Sequence, residues 1–171
     1  KIPELRFKGS TDAWEQRKVE EYASFFKGKG LSWNDITGDG NQECILYGNL
    51  YTDYGMIVEN VVYRTNAKLN NGVYSKFGDV LIPASDTTPS GLARATSIEK
   101  SGVLLGGDIN VIRPSVHING SCMSLALNAN KHELVRLIKG TTVKHIYNSD
   151  IKDIYICLPK SKNEQDKIVF L

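Results

Sequence analysis

His132-Glu133-Leu134-Val135-Arg136 sets an imidazole beside a carboxylate, as the helix of a zinc hydrolase does. That chemistry needs a second imidazole one helical turn on, and Arg136 stands in its place. The other histidines are His117 and His145, so a histidine metal site would require all of them to converge, and each reads instead as solvent-facing or structural. Asp35, Asp39 and Glu43 lie around Gly38 and Gly40 without the ligand spacing of a calcium loop, which leaves a polar turn. Lys27-Gly28-Lys29-Gly30 has neither the Gly-Lys-Ser/Thr ending of a phosphate loop nor the full dinucleotide-binding glycine pattern, and reads as a flexible basic loop. DNA methylation would call for an Asn/Asp-Pro-Pro-aromatic tetrapeptide, and metal-dependent cleavage for a Pro-Asp followed by Glu-x-Lys; neither occurs. The sequence therefore assigns no catalytic residue, no metal ligand and no cofactor.

Its polar residues suit recognition instead. Arginine can bond guanine at two atoms, asparagine and glutamine can do the same for adenine, and hydroxyls or lysine can hold phosphates. Tyr47, Asn49, Tyr51, Thr52 and Tyr54 form one polar-aromatic cluster at the end of a strand-like run, and Ser85 to Thr88 with Arg94 form another. The competing role for such tyrosines is half-buried packing.

These groups need a rigid body to present them. A chain of 171 residues with 41% hydrophobic residues can bury one sizeable core, so one domain is expected. With 21 Lys and Arg against 19 Asp and Glu, the formal charge of +2 provides no field that demands nucleic acid, and a DNA-binding role would need basic residues clustered on one face. Cys44, Cys122 and Cys157 are widely spaced with no C-x-x-C pair, which fits a reducing cytoplasm; Cys44 and Cys157 sit in apolar runs as small buried hydrophobes. No apolar run approaches the ~20 residues of a membrane-spanning helix.

Along the chain, Asp12 to Tyr22 predicts a short helix, and Glu43 to Tyr47 and Met56 to Tyr63 predict strands. Asn70-Asn71-Gly72 marks a turn, Asp79 to Pro83 a short apolar strand, and Ala84 to Pro89 an exposed loop. Ile109 to Arg113 reads as a strand, Asn119-Gly120-Ser121 as a turn, and Ser121 to Ile138 as two helices separated near Asn128-Ala129-Asn130. From Asn163 the pattern is helical, with Ile168, Val169 and Leu171 requiring a core or a partner to cover them.

The order of several pieces resembles a known family. Gly78-Asp79-Val80-Leu81-Ile82-Pro83, Gly106-Gly107-Asp108-Ile109-Asn110 and Gly140-Thr141-Thr142-Val143-Lys144-His145-Ile146 are followed by Ile154-Tyr155-Ile156-Cys157-Leu158-Pro159 and Asn163-Glu164-Gln165-Asp166-Lys167-Ile168. This is similar to the target recognition domains of type I restriction-modification specificity subunits. Pro3-Glu4-Leu5-Arg6-Phe7 with Trp14-Glu15-Gln16-Arg17, and Cys44-Ile45-Leu46-Tyr47-Gly48-Asn49-Leu50-Tyr51-Thr52, resemble the start and a middle strand and turn of the same family, so the likeness covers nearly the whole chain.

The resemblance implies a mixed α/β (α+β) fold, a twisted mixed sheet with flanking helices. Residues 1–160 would be a target recognition domain and residues 161–171 the truncated start of a long spacer or dimerisation helix. The implied function is sequence-specific reading of one half of a bipartite DNA target by a non-catalytic subunit in the cytoplasm. Implied partners are double-stranded DNA, modification (methyltransferase) subunits that bind S-adenosylmethionine and methylate adenine, through them restriction subunits, and a second half-subunit joined by the C-terminal helix. The loops nominated for DNA contact are Tyr51, Thr52 and Tyr54; Ser85, Thr87, Thr88 and Arg94; and Thr141, Thr142 and Lys144, the last group having a purely structural turn as its alternative. A protein-interaction or scaffold module, and a DNA-modifying enzyme with unfamiliar motifs, remain the competing classes.

Overall fold

In the computed structural model, which describes residues 7–10 and 12–170, the chain opens with strand β1 (Glu15–Lys18), one helical turn α1 (Val19–Tyr22) and strand β2 (Ala23–Lys27). Pro3-Glu4-Leu5-Arg6 and Leu171, used in the sequence reading, lie outside the described residues. Of the helix expected over Asp12 to Tyr22, only the turn Val19–Tyr22 is helical, and Glu15–Lys18 is strand. Its charged residues favour helix locally, but Glu15–Lys18 pairs antiparallel with Tyr155–Leu158, and that ladder outweighs propensity.

Next come β3 (Gln42–Ile45), α2 (Asn49–Thr52), β4 (Ile57–Val58), β5 (Tyr63–Thr65), β6 (Val73–Tyr74), β7 (Asp79–Pro83) and β8 (Ser85–Asp86). The middle of the chain adds α3 (Pro89–Leu92), β9 (Thr96–Ile98), β10 (Leu104–Leu105), β11 (Ile109–Pro114), α4 (Gly120–Ala129) and α5 (Lys131–Arg136). It closes with β12 (Lys144–His145), α6 (Asn148–Ile151), β13 (Tyr155–Leu158) and α7 (Lys162–Val169). The single strand expected over Met56 to Tyr63 is two pieces in different sheets, because β4 pairs with β9 whereas β5 pairs with β3. Ala84 and Ser85, expected on an exposed loop, are buried, since Ser85–Asp86 pairs with Lys144–His145; exposure begins at Thr87.

Two main sheets form, one of five strands in the order β2-β11-β7-β9-β4 and one of four in the order β5-β3-β10-β6, each with a parallel pair among antiparallel ones. Strand alternation sends Val80 and Ile82 of β7 and Ile112 of β11 into one core, with Cys122, Met123 and Leu127 of α4 and Ile156 and Leu158 of β13. Leu81, Ile109 and Val111 point the other way, into a second core with Ile45 of β3 and Leu105 of β10. The five-stranded sheet is therefore covered on both faces, which is why Val80 to Pro83 of β7 reads as an unbroken apolar run, while the buried Asn110 of β11 donates to the Ile146 carbonyl at 2.9 Å. Each such fully buried Leu or Ile contributes about 1.5–3 kcal/mol relative to exposure.

Helix α4 fixes the sheet's outer cover. Asn119 caps it by accepting from the Cys122 amide at 3.0 Å, and Asn128 clamps the backbone of Ala95, accepting from its amide at 3.1 Å and donating to its carbonyl at 2.7 Å. The break between α4 and α5 falls at Asn130, inside the expected interruption. Helix α7 is anchored by Gln165, fully buried, which accepts from the Asn119 amide at 2.7 Å and donates to the Pro159 carbonyl at 2.9 Å. Ile168 and Val169 pack partly buried against the first core.

Candidate nucleic-acid interface

Strands β2, β7 and β11 share one end of the sheet: Lys27 lies beside Asn110, and Pro83 beside Ile109. From that end the chain launches its nominated loops. Past Pro83, the Ala84 amide bonds the Asp108 carbonyl at 2.7 Å and its carbonyl accepts from Ile146 at 3.1 Å, so the segment entering β8 is pinned on both sides. Asp86 then lies across from Lys144, and Ser85 from His145, with 3.1 Å between Ser85 Oγ and His145 Nδ1. The second and third nominated groups, separate in sequence, are thereby one paired unit.

The first group joins them through side chains. Arg94 Nη1 donates to the Leu50 carbonyl at 3.1 Å, tying the turn α2 to the segment between α3 and β9. The Tyr51 phenol is held above its ordinary pKa first by burial and then by the charge of Asp86, which places these groups within electrostatic reach. Tyr47 and Tyr51 meet edge to face, 6.4 Å between ring centres. Tyr51, Asp86 to Thr88, Arg94 and Lys144 are consequently gathered at one end of the molecule.

The nominated residues divide by how much of their bonding capacity is used. Thr87 and Thr88 are exposed, their hydroxyls 3.4 and 2.9 Å from Asp86 oxygens. Thr141 and Thr142 are exposed on a turn that needs glycine at its head, where Gly140 has φ +109°. Lys144 folds back on this turn, its ammonium donating to the carbonyls of Gly140, at 2.9 Å, and of Thr141. Thr52 Oγ1 sits 3.0 Å from the Gly48 carbonyl and 2.8 Å from Asp53 Oδ2. Tyr54 stands apart from the gathered group: its ring packs on the second core and its hydroxyl accepts from the Val62 amide at 3.0 Å. Ser85 is buried.

Sequence reasoning passed over three contributors at this end. Tyr147 stacks on His145, ring centres 6.0 Å apart and 18° between planes, with Lys139 beside the tyrosine ring and paired to Asp150 at 2.7 Å. Asp86 organises the exposed threonines. Its signal was present, since Asp-Thr-Thr-Pro reads as a side-chain-closed turn ahead of a proline-started helix.

Among the described residues no group of three His, Cys, Asp or Glu side chains could hold a metal ion. Burial pushes the Cys44 thiol up to about 11 and the Cys122 thiol up to about 12, so neither is a thiolate at neutral pH. A cleft of about 1020 Å³ lies at the opposite end of the same strands, lined by Ser24, Phe77, Gly78, Arg113 and Asp166 among others. There Arg113 makes a two-pronged pair with buried Asp79, at 2.8 and 2.7 Å, and lies 4.6 Å from the Phe26 ring centre. The Gly78-Asp79 motif is therefore a structural fixture. Among the described residues no helix is long and apolar enough to cross a membrane.

Comparison with known proteins matches residues 11–170 to a family model described as the type I restriction modification DNA specificity domain. The fold is similar to that of the type I restriction-modification S subunit from M. genitalium, with TM-score 0.70 and 19% identity over 99% of this chain and 40% of that one. It is similar too to the HsdS subunit from Thermoanaerobacter tengcongensis, with TM-score 0.63 and 18% identity over 98% of this chain and 38% of that one. A third similar chain comes from a structure concerned with complex assembly and conformational transition of the type I system, with TM-score 0.67 and 18% identity over 98% of this chain and 38% of its own length. The chain thus spans about 40% of the solved subunits it resembles. A comparison with curated proteins returns no match.

Proposed function

Because this chain belongs to the type I restriction modification DNA specificity domain family, we propose that it reads, sequence-specifically, one half of a bipartite duplex DNA target. The observation that carries this reading is the gathering of three loops, distant in sequence, at one end of a doubly covered sheet: α2, the Asp86–Thr88 segment and the turn before β12. Rigid strands presenting exposed hydroxyls, phenols and cations are what groove recognition requires. Tyr51, Thr52, Thr87, Thr88, Arg94, Thr141, Thr142 and Lys144 contact DNA directly, while Ser85 and Tyr54 support the loops from beneath.

The chain brings sequence choice and no chemistry of its own. Residues 1–160 act as the target recognition domain and residues 161–171 lead into a spacer helix. That helix docks modification subunits, which bind S-adenosylmethionine and methylate adenine, and through them restriction subunits; it also joins a second recognition half. The complex works in the cytoplasm. Phosphate contacts release counterions, so affinity of the assembled subunit for its target duplex should fall steeply between low and moderate salt, with a log–log slope of about −0.9 per phosphate neutralised. Binding to modification subunits with a flat salt response toward DNA would point to a protein-interaction module instead.

A further inference from the structure

We infer that Asp86 is the positioning residue of the recognition end, holding the Thr87-Thr88 loop in shape while its charge holds down indiscriminate binding to DNA. The inference rests on the DNA-reading role proposed above. Asp86 Oδ1 accepts from the Thr87 amide at 2.6 Å, and Oδ2 accepts from the Thr88 hydroxyl at 2.9 Å. Thr88 precedes α3 without capping it, because its hydroxyl is turned to Asp86 instead. The carboxylate fits only because residue 91 is glycine: a Cβ there would fall 1.7 Å from Asp86 Oδ2. One carboxylate therefore dictates where two exposed threonines stand.

Its charge is not cancelled. Lys144, its cross-strand neighbour, spends its ammonium on the carbonyls of Gly140 and Thr141, and among the described residues no basic side chain is ion-paired with Asp86. The local donors that satisfy Asp86 are a neutral amide and neutral hydroxyls, so a full negative charge remains among loops that meet a polyanion. That charge opposes every duplex alike, whereas the loop shape it enforces benefits only the matching sequence. Affinity for non-target DNA falls and discrimination rises.

The two effects have opposite signs, which makes them separable from simple loss of structure. The test uses the full specificity subunit assembled with its modification subunits, a target duplex obtained by selection and a scrambled duplex of the same length. Asp86→Asn should raise affinity for the scrambled duplex about 3- to 5-fold near ~0.15 M salt, the scale of one charge in the counterion relation. It should also reduce the target-to-scrambled ratio by about tenfold, the scale of one lost base-pair preference. Gly91→Ala displaces the carboxylate but keeps its charge, and should reduce the ratio while leaving affinity for the scrambled duplex unchanged. Parallel loss on both duplexes, or an unchanged ratio in Asp86→Asn, would overturn the inference. A wild-type assembly that enriches no motif would overturn the DNA-reading role itself.

Discussion

Arg94 shows how a residue nominated for DNA contact can have a second duty. One of its five donors is committed to the Leu50 carbonyl, at 3.1 Å, and the side chain is partly exposed, so the guanidinium can clamp α2 and still present a fork to a base edge. Arg94→Ala should weaken binding to the target half-site by about 1–3 kcal/mol in a titration of matched and mismatched duplexes, with a smaller loss on mismatched ones. A uniform loss across sequences would assign the side chain to phosphate. Lys144 is a second case. Its type and its place after a Gly-Thr-Thr turn nominate it for DNA contact, and its ammonium also satisfies two carbonyls of that turn, so on the proposed role it would brace the turn it reaches out from. Such local bonding depends on φ and ψ at Gly140, and residue type alone does not reveal it. Tyr54 could not be told from Tyr51 for a similar reason: three residues apart, one ring rests on the second core and the other meets Tyr47 edge to face.

Among the elements, α7 has the most exacting attachment. Gln165 is fully buried, and its amide satisfies the Asn119 N–H that opens α4 and the Pro159 carbonyl that ends the β13 segment. Gln165→Leu would keep the volume and strand both groups without partners, so equilibrium unfolding in denaturant should report a loss of about 2–4 kcal/mol. Unchanged stability would mean that α7 is held by its other contacts, the Asn119–Asp166 and Trp14–Glu164 hydrogen bonds and the packed Ile168 and Val169. Glu-Gln after the Pro159 strand was legible as a family signature, and the structure supplies its physical reason: it docks the helix. Strand β7 was legible as well, since a sheet covered on both faces demands a continuous apolar run, and β11 was legible from the apolar residues on either side of Asn110. Strand β1 was not. Its partner in the ladder lies at Tyr155–Leu158, and no window around Glu15 contains that information. The pairing of β8 with β12 escaped notice in the same way, and with it the union of two nominated loops.

Viewed whole, the molecule is polarised along its strands. At one end sit the paired loops, the stacked His145 and Tyr147 rings and Asp86; at the other, the buried Asp79–Arg113 pair and the start of α4, where the Asn119 amide meets Gln165 of α7. The five-stranded sheet between the two ends is fixed by cores on both faces, which on the proposed role would let the loops vary without disturbing the far end. The most direct test of that account is to bind the subunit, with its helix extended and modification subunits present, to a pool of random duplexes and sequence the bound fraction. Enrichment of one short motif is the predicted result, and retention without enrichment, or no retention at all, would contradict it.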